Sequence, residues 1–189
     1  MKDKEQLIDE IASHYKKILE LIGENPEREG LKKTPRRAAK ALVDVTCGYE
    51  EHAEDYVKSA LFEYSGSKVV VVKDIEFYSL CEHHILPFFG KISIGYIPDG
   101  SMVGLSKLAR VVDAFARRLQ VQERLTAEIC DLLYTNLSSK GVIVACRAEH
   151  LCMKMRGVEK QGANTLTLEY RGEFEDQRLR DEFFRMIAD

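Results

Sequence analysis

Two short segments of the sequence contain side chains suited to bind a metal ion. Residues 81–84 have the sequence Cys-Glu-His-His, and residues 150–152 have the sequence His-Leu-Cys. Thiolate sulfur and imidazole nitrogen are the usual ligands of zinc in proteins. Cys81 and His84 are separated by two residues, so one tight turn can direct both side chains at one ion. In the second segment one residue separates His150 from Cys152, which places both side chains on one face if the segment is an extended strand.

These segments lack the regular double knuckle of many structural zinc sites, in which each pair of ligands has a two-residue gap. An incomplete shell of protein ligands leaves a coordination position for water, which is the arrangement of a catalytic zinc. The alternative is a buried pair of cysteines whose neighbouring histidines only form hydrogen bonds. The spacing favours a metal site and leaves this alternative open.

The composition indicates a soluble globular protein in a reducing compartment. With 189 residues, of which 45% are hydrophobic and 31% charged, the chain is long enough for one well-buried domain with a helical appendage. The net charge of -3 gives no basic field for nucleic acid, and no run approaches the roughly 20 apolar residues of a membrane helix. The charged start, Met1–Glu5, lacks the apolar core of a signal peptide. Five scattered cysteines suggest a reducing compartment in which thiolates are free for metal, so we expect a cytoplasmic protein. From the charge and the lack of a long apolar run, we expect no nucleic-acid or membrane partner.

The N-terminal residues predict two helices. Hydrophobic side chains at helical spacing predict an amphipathic helix from about residue 5 to 22. A second helix opens at Thr34 and Pro35, with Thr34 as its N-cap. Arg37 and Lys40 share a face near the start of this second helix, where the helix dipole disfavours cations. They form either a solvated face or a binding site for an anion.

From residue 67 onward the pattern predicts the order strand, strand, helix, helix, strand, strand. The predicted elements are strands at 68–78 and 90–97, helices beginning near 106 and 121, strands at 142–148 and 164–170, and a closing helix at 178–187. We therefore divide the chain into an N-terminal helical region, residues 1–66, and an α+β domain, residues 67–189, with an antiparallel four-stranded sheet. The open edges of such a sheet invite pairing between subunits.

Two later helix starts contain polar side chains with more than one interpretation. Ser106 can cap a helix, and the backbone N–H groups there, with Lys107 and Arg110 within one turn, could hold a phosphate. Most serine N-caps only cap, so this pattern alone is weak. Glu123 lies at the start of the next helix, where the helix dipole favours a carboxylate whether or not it binds a ligand.

Several segments taken together resemble the GTP cyclohydrolase I family. They are residues 34–40 (TPRRAAK), 81–84 (CEHH), 104–107 (GLSK), 120–125 (QVQERL), and 150–152 (HLC) followed by 156–157 (RG). Each motif is weak alone, but the ordered set is specific, and the resemblance extends over residues 31–187.

The resemblance implies a fold, an assembly and an activity. The fold is the tunnelling fold, whose four-stranded, two-helix units assemble into barrels within a toroidal homodecamer with active sites at subunit interfaces. The implied substrate is GTP and the implied cofactor is Zn²⁺. The implied reaction opens the purine at C8 and gives 7,8-dihydroneopterin triphosphate and formate, the first step of pterin and folate biosynthesis.

The resemblance also assigns roles within the two metal-binding segments. Cys81, His84 and Cys152 would be the zinc ligands, with the fourth position left to water. His83 and His150 would be acid–base residues rather than ligands. Because C8 of a neutral purine is a poor electrophile, attack by zinc-bound water would require protonation of N7, and histidine has a suitable pKa for that task.

The remaining motifs would bind the nucleotide. Glu123 resembles the guanine-reading residue of the family, and Gln122 lies beside it. The implied triphosphate cluster consists of Ser106, Lys107, Arg110, Arg156, Arg37 and Lys40. A competing hypothesis from another class is a non-catalytic oligomeric module that zinc stabilises. That hypothesis predicts that metal removal dissolves the oligomer while no nucleotide binds.

Overall fold

The computed structural model describes residues 3–188, and the chain divides into two compact units between Cys47 and Gly48. This division falls earlier than the one placed at residues 66 and 67 from the sequence. The segment between the two positions belongs to the second unit because its helix α3 (Ala53–Lys58) packs on α4, and its strand β1 (Leu61–Glu63) pairs with β4.

The first unit contains the two helices that the hydrophobic spacing predicted, α1 (Lys4–Leu21) and α2 (Thr34–Val45). The guanidinium of Arg36 on α2 forms ion pairs with two carboxylates of α1. Thr34 is the first helical residue and not the predicted N-cap, since Lys33 occupies the cap position. The Thr34 hydroxyl instead donates a hydrogen bond to the carbonyl of Gly30, at 3.4 Å.

The second unit contains most of the secondary structure. After α3 and β1, its strands and helices are β2 (Val70–Cys81), β3 (Pro87–Pro98), β4 (Ser101–Val103), α4 (Leu105–Ala116), β5 (Leu119–Gln120), α5 (Gln122–Asn136), β6 (Ser139–His150), α6 (Leu151–Lys154), β7 (Thr165–Gly172) and α7 (Gln177–Ile187). Short 3₁₀ turns lie at Cys47–Glu50 and Glu173–Glu175. No helix within residues 3–188 is long and apolar enough to cross a membrane.

The main sheet has the strand order β5-β2-β3-β6-β7, with antiparallel pairing except for the short parallel contact of β5 with β2. Its four long strands and the intervening α4 and α5 confirm the predicted order of strand, strand, helix, helix, strand, strand, and hence the α+β fold class. The two-residue strand β5 and the small β1–β4 pair are additions that the sequence pattern did not predict, because such short elements have no resolvable periodicity.

Both faces of this sheet are covered by helices. Val142 and Val144 of β6 face the larger core, to which α4 and α5 contribute Leu108 and Ile129. Ile143, between the two valines, faces the opposite side and packs in a second cluster with Phe183 of α7 and its neighbours. The alternation follows from the two-residue period of a strand. A sheet buried on both faces gives rigid strand ends from which functional side chains can project.

Several elements meet at one end of the sheet, where strands begin or finish. The β2–β3 hairpin pairs Leu80 with Pro87, so the loop between these strands lies at this end. Phe88, at the start of β3, pairs with His150, at the end of β6. The end of β2 also pairs with β5, which leads directly into α5. The chain therefore brings the residues near 81, 122 and 150 together, although they are far apart in sequence.

Candidate metal centre

Cys81, His84 and Cys152 form a compact group in which the potential ligand atoms all lie within 4.8 Å of one another. The Cys81 Sγ atom is 3.7 Å from His84 Nδ1. Ligand atoms around a tetrahedral zinc ion are about 3.5–3.8 Å apart, given the usual Zn–S and Zn–N bond lengths. The spacing and the donor types of these three residues therefore fit a zinc ion with little rearrangement.

A tight turn after β2 directs the first two of these side chains. The Cys81 carbonyl accepts hydrogen bonds from the backbone N–H groups of His84, at 3.2 Å, and Ile85, at 2.8 Å. Ile85 has a φ of 54°, in the left-handed region that closes such turns. The Cys81 N–H donates to the Leu86 carbonyl at 2.9 Å, which fixes the start of β3 against the end of β2. Cys81 is buried and His84 is exposed, so the cluster opens to the surface on one side.

Cys152 reaches the cluster from a helical turn rather than from a strand. The sequence predicted that His150 and Cys152 would face the same side of one extended strand, and this was wrong. Strand β6 ends at His150, and Cys152 lies in the short helix α6. The change from strand to helix rotates successive side chains by about 100° instead of 180°. The thiol of Cys152 therefore joins Cys81 and His84 in the group of three potential ligands, called the metal cluster below. The ring of His150 stacks on Phe88 instead.

The two thiols of the cluster favour a cation between them. Burial raises the pKa of the Cys152 thiol because it penalises the charged form, and Cys81 raises it further because two neighbouring thiolates repel each other. Arg156 opposes this effect, and its guanidinium donates to the Cys152 carbonyl at 3.3 Å. A divalent cation would remove the repulsion and stabilise both thiolates.

Two other cysteines of the second unit are ordinary core thiols. Burial raises the pKa of Cys130 to about 12 and that of Cys146 to about 12, so both remain protonated at neutral pH. Cys47, at the end of the first unit, is exposed. Of the five cysteines, only Cys81 and Cys152 belong to the potential metal-binding group within residues 3–188.

His83 lies beside the metal cluster but outside the group of three. Its Nδ1 atom is 3.9 Å from Cys81 Sγ, and its ring meets that of His84 edge-on, with centroids 6.1 Å apart. The His83 side chain is 65% exposed, and its Nε2 atom lies 3.8 Å from a Glu82 carboxylate oxygen. An exposed imidazole at this position can exchange protons with solvent or with a ligand.

His150 is held much more firmly than His83. Its ring stacks on Phe88 with centroids 4.8 Å apart and planes within 1° of parallel. The His150 Nε2 atom is 2.9 Å from Gln122 Oε1. Burial lowers the pKa of His150, and the nearby carboxylate of Glu123 opposes this effect without reversing it. The neutral imidazole is therefore the favoured form in the folded protein.

The two polar residues at the start of α5 have different surroundings. Glu123 is exposed in the first turn, and its carboxylate is free to meet a ligand. Gln122 is 1% exposed, and its amide nitrogen donates to the carbonyls of Cys146 and Thr165, each at 3.1 Å. The side chain of Gln122 thus forms its hydrogen bonds with His150 and the sheet and has almost no surface left for an incoming ligand.

The other cationic and polar residues singled out in the sequence lie on several elements. Ser106 is not an N-cap, because α4 begins at Leu105 with Gly104 in the cap position. Ser106 and Arg110 are exposed on this helix, and the Arg110 guanidinium lies 5.7 Å from the centre of the Tyr56 ring. Lys107, on the same helix, is half-buried.

Three further cations of the expected triphosphate cluster are exposed. Arg156 follows α6, next to the metal cluster. Arg37 and Lys40 lie on α2, in the N-terminal unit.

Two contacts of Arg124 were not predicted. Arg124 forms an ion pair with Glu82 at 2.5 Å, and its Nε atom donates to Gln120 Oε1 at 2.9 Å. The hydrogen bond from Arg124 lowers the pKa of the Glu82 carboxyl, so the pair is fully charged at neutral pH. This contact ties the loop that contains Cys81 to the helix that begins at Gln122. Both partners lie within motifs noted in the sequence, but no local pattern connects residues so far apart.

Comparison with known proteins gives a consistent result. The model of the GTP cyclohydrolase I family matches residues 11–188. A protein of Porphyromonas gingivalis named GTP cyclohydrolase 1 is 52% identical over 186 residues, which cover 98% of this chain and 96% of that protein. Proteins of the same name from Bacteroides fragilis and Campylobacter jejuni are 48% and 52% identical over 99% and 91% of this chain, and 98% and 91% of their own lengths. By these matches over nearly its whole length, the chain belongs to the GTP cyclohydrolase I family.

Proposed function

We propose that this protein is a zinc-dependent enzyme that converts GTP to 7,8-dihydroneopterin triphosphate and formate, a first step of pterin and folate biosynthesis. The observation that supports it best is the group of Cys81, His84 and Cys152, with His83 beside it and His150 two residues before Cys152. The relatives named GTP cyclohydrolase 1, at about half identity over nearly the whole chain, support the same reaction.

Zinc is the cofactor that best fits the donor set. Two thiols and one imidazole are borderline-soft ligands with the spacing of a tetrahedral site, and hard cations such as Mg²⁺ prefer oxygen. A zinc ion held by three protein ligands would have one position left for water. The ion would lower the pKa of that water toward neutrality and so make the water nucleophilic. The three residues would bind the ion, and the exposed side of His84 leaves room for substrate.

His83 and His150 would move the protons that the reaction requires. Water addition at C8 of a purine places negative charge on the ring unless N7 is protonated. An exposed imidazole, such as that of His83, can deliver a proton and be reprotonated from solvent. A fixed neutral imidazole, such as that of His150, is suited to accept one.

Glu123 would select guanine over adenine. A carboxylate can accept hydrogen bonds from N1–H and the 2-amino group of guanine together, and adenine has neither donor. Its exposed position at the start of α5 leaves both carboxylate oxygens available. Gln122, which precedes Glu123 in the sequence, stays a prediction as a nucleotide-binding residue. A base that buried the Glu123 carboxylate on binding without pairing it would be strongly rejected.

The triphosphate requires several cations. GTP has about four negative charges at neutral pH, and the net charge of the chain is -3, so the binding site must concentrate local positive charge. The residues proposed for this role are Ser106, Lys107, Arg110, Arg156, Arg37 and Lys40. Arg156 contacts the Cys152 carbonyl and so lies next to the metal cluster.

We also propose a homo-oligomer, of ten subunits by analogy with the family, in the cytoplasm. Among residues 3–188, strand β2 pairs with β5 only at Leu80 and Cys81, and β7 pairs only with β6. Both edges of the sheet thus present backbone groups that a second copy could pair with. Active sites at the resulting interfaces would gain enclosure that the exposed side chains of one chain lack. Ligation by free thiols fits a reducing compartment.

The direct test is to incubate zinc-loaded protein with GTP or ATP. We expect formate and a pterin that fluoresces after oxidation from GTP, and neither product from ATP. Unchanged GTP would refute the proposed activity. If metal removal dissolved the oligomer while GTP left the melting temperature of the zinc-loaded protein unchanged, a zinc-stabilised assembly module would be the better account.

A further inference from the structure

A closed network of hydrogen bonds surrounds the side chain of Gln122. Its amide nitrogen lies within hydrogen-bond distance of the carbonyls of Cys146 and Thr165 and of the Thr167 hydroxyl, at 3.1, 3.1 and 3.2 Å. Its amide oxygen lies 2.9 Å from His150 Nε2. Gln122 is 1% exposed, so protein atoms rather than solvent surround this side chain.

The partners determine the direction of each hydrogen bond in this network. The Gln122 main-chain carbonyl can only accept, so the Thr126 hydroxyl donates to it, at 2.7 Å. The Thr126 oxygen must then accept from the Thr167 hydroxyl, at 2.6 Å. The Thr167 oxygen is left to accept from the Gln122 amide. The two backbone carbonyls can likewise only accept, so three partners together assign the nitrogen of the Gln122 amide.

With the nitrogen assigned, the Gln122 amide oxygen must face His150. A flipped amide would place its oxygen against the carbonyl oxygens of Cys146 and Thr165 and lose the donor bonds to both, which a buried group does not tolerate. Because the amide oxygen only accepts, His150 Nε2 must have the proton. The neutral imidazole then has its lone pair on Nδ1.

We propose that Gln122 is a positioning residue that holds His150 in the tautomer protonated at Nε2, so that Nδ1 is the nitrogen available for proton transfer. The role of His150 in proton transfer rests on the proposed function. The same hydrogen bond persists when Nδ1 gains a proton, since Nε2 remains a donor in the imidazolium. The stack on Phe88 fixes the ring plane, and the Gln122 bond fixes the rotation within that plane. Partners of this type orient a catalytic imidazole without touching substrate.

The tautomer can be measured without any substrate. Zinc-loaded protein labelled with ¹⁵N at its five histidines is studied by ¹H–¹⁵N correlation spectroscopy, and the His150 signals are identified by their absence in His150→Gln. We expect Nε2 in the chemical-shift range of a protonated nitrogen and Nδ1 in the range of an unprotonated one. The opposite assignment in the unmodified protein would overturn the proposal, whatever the activity.

Two isosteric substitutions within the network separate positioning from stability. Gln122→Met removes the bond to His150, and Thr126→Val removes a buried hydroxyl that contacts Thr167 but not His150. We expect Gln122→Met to lose the fixed tautomer and to lower kcat for GTP about 10- to 100-fold with KM nearly unchanged. We expect Thr126→Val to lower the melting temperature but to keep the tautomer and kcat.

Each alternative result contradicts the inference in a different way. A raised KM with unchanged kcat in Gln122→Met would make Gln122 a substrate contact, as the family resemblance suggested. An equal loss of kcat in Thr126→Val would reduce the effect to the stability of the network. If the protein failed to act on GTP but showed the expected tautomer, the proposed function would fail while the positioning of His150 by Gln122 would stand.

Discussion

The two histidines with proposed acid–base roles differ in how the fold holds them. His83 follows Cys81 in an exposed turn, and its side chain is 65% exposed. His150 ends a central strand, stacks on Phe88 and contacts the buried Gln122. One imidazole is open to solvent, and the other is held in a single orientation. The comparison indicates that a site of this kind can divide acid and base roles by the rigidity of the supporting element as well as by charge.

The exposed turn contains two of the three proposed zinc ligands, and the third is Cys152. Of the changes considered, Cys152→Ser should have the largest effect on zinc binding and activity. Loss of one thiolate from a three-residue site should abolish zinc binding, and activity should fall by more than the about 100-fold that loss of an outer partner costs. Zinc content by elemental analysis and formate release measure the two effects. Cys47→Ser, which changes an exposed cysteine of the first unit, should keep both. Full zinc content in Cys152→Ser would remove this residue from the ligand set.

Replacement of each histidine by alanine tests the comparison directly. His83→Ala and His150→Ala should both retain zinc and lose about 10²- to 10⁴-fold in kcat, the usual contribution of a general acid or base. They should differ in stability. His150→Ala loses a ring stack and a hydrogen bond and should lower the free energy of unfolding by about 1–3 kcal/mol, while His83→Ala should change it little.

Zinc content and denaturant unfolding measure these outcomes. Joint loss of zinc and activity in His83→Ala would make His83 a ligand. Equal stability losses in the two variants would contradict the difference in rigidity between the turn and the strand end.

A smaller effect is expected from the contact that fixes the turn to α5. Arg124→Met removes the ion pair with Glu82 and the bond to Gln120 and should weaken zinc affinity about 10-fold, because the turn loses its anchor. Competition with a chromogenic chelator measures the affinity. Arg178→Met breaks a comparable exposed pair with Asp176 on α7 and serves as the control. Unchanged affinity in Arg124→Met would show that the turn holds its shape through its backbone hydrogen bonds alone.

Much of the fold could be predicted because the signals are local. Alternating apolar residues gave β3 and β7, and helical spacing gave α1, α4 and α5, each within a few residues of its observed bounds. Errors appeared where one residue changes the local geometry. Cys152 lies in a four-residue helix whose pattern is too short to recognise. Ser106 is the second residue of its helix rather than the N-cap.

The sequence by itself determined the types of ligand, the order of the elements and the family, since thiol and imidazole chemistry, periodicity and ordered motifs are all properties of short segments. Only the tertiary structure decided which polar groups meet. The register of β3 with β6 places His150 on Phe88, and the start of α5 places Gln122 against His150. Such contacts depend on the packing of remote segments, and the directions of their hydrogen bonds can be assigned only when every partner is in place.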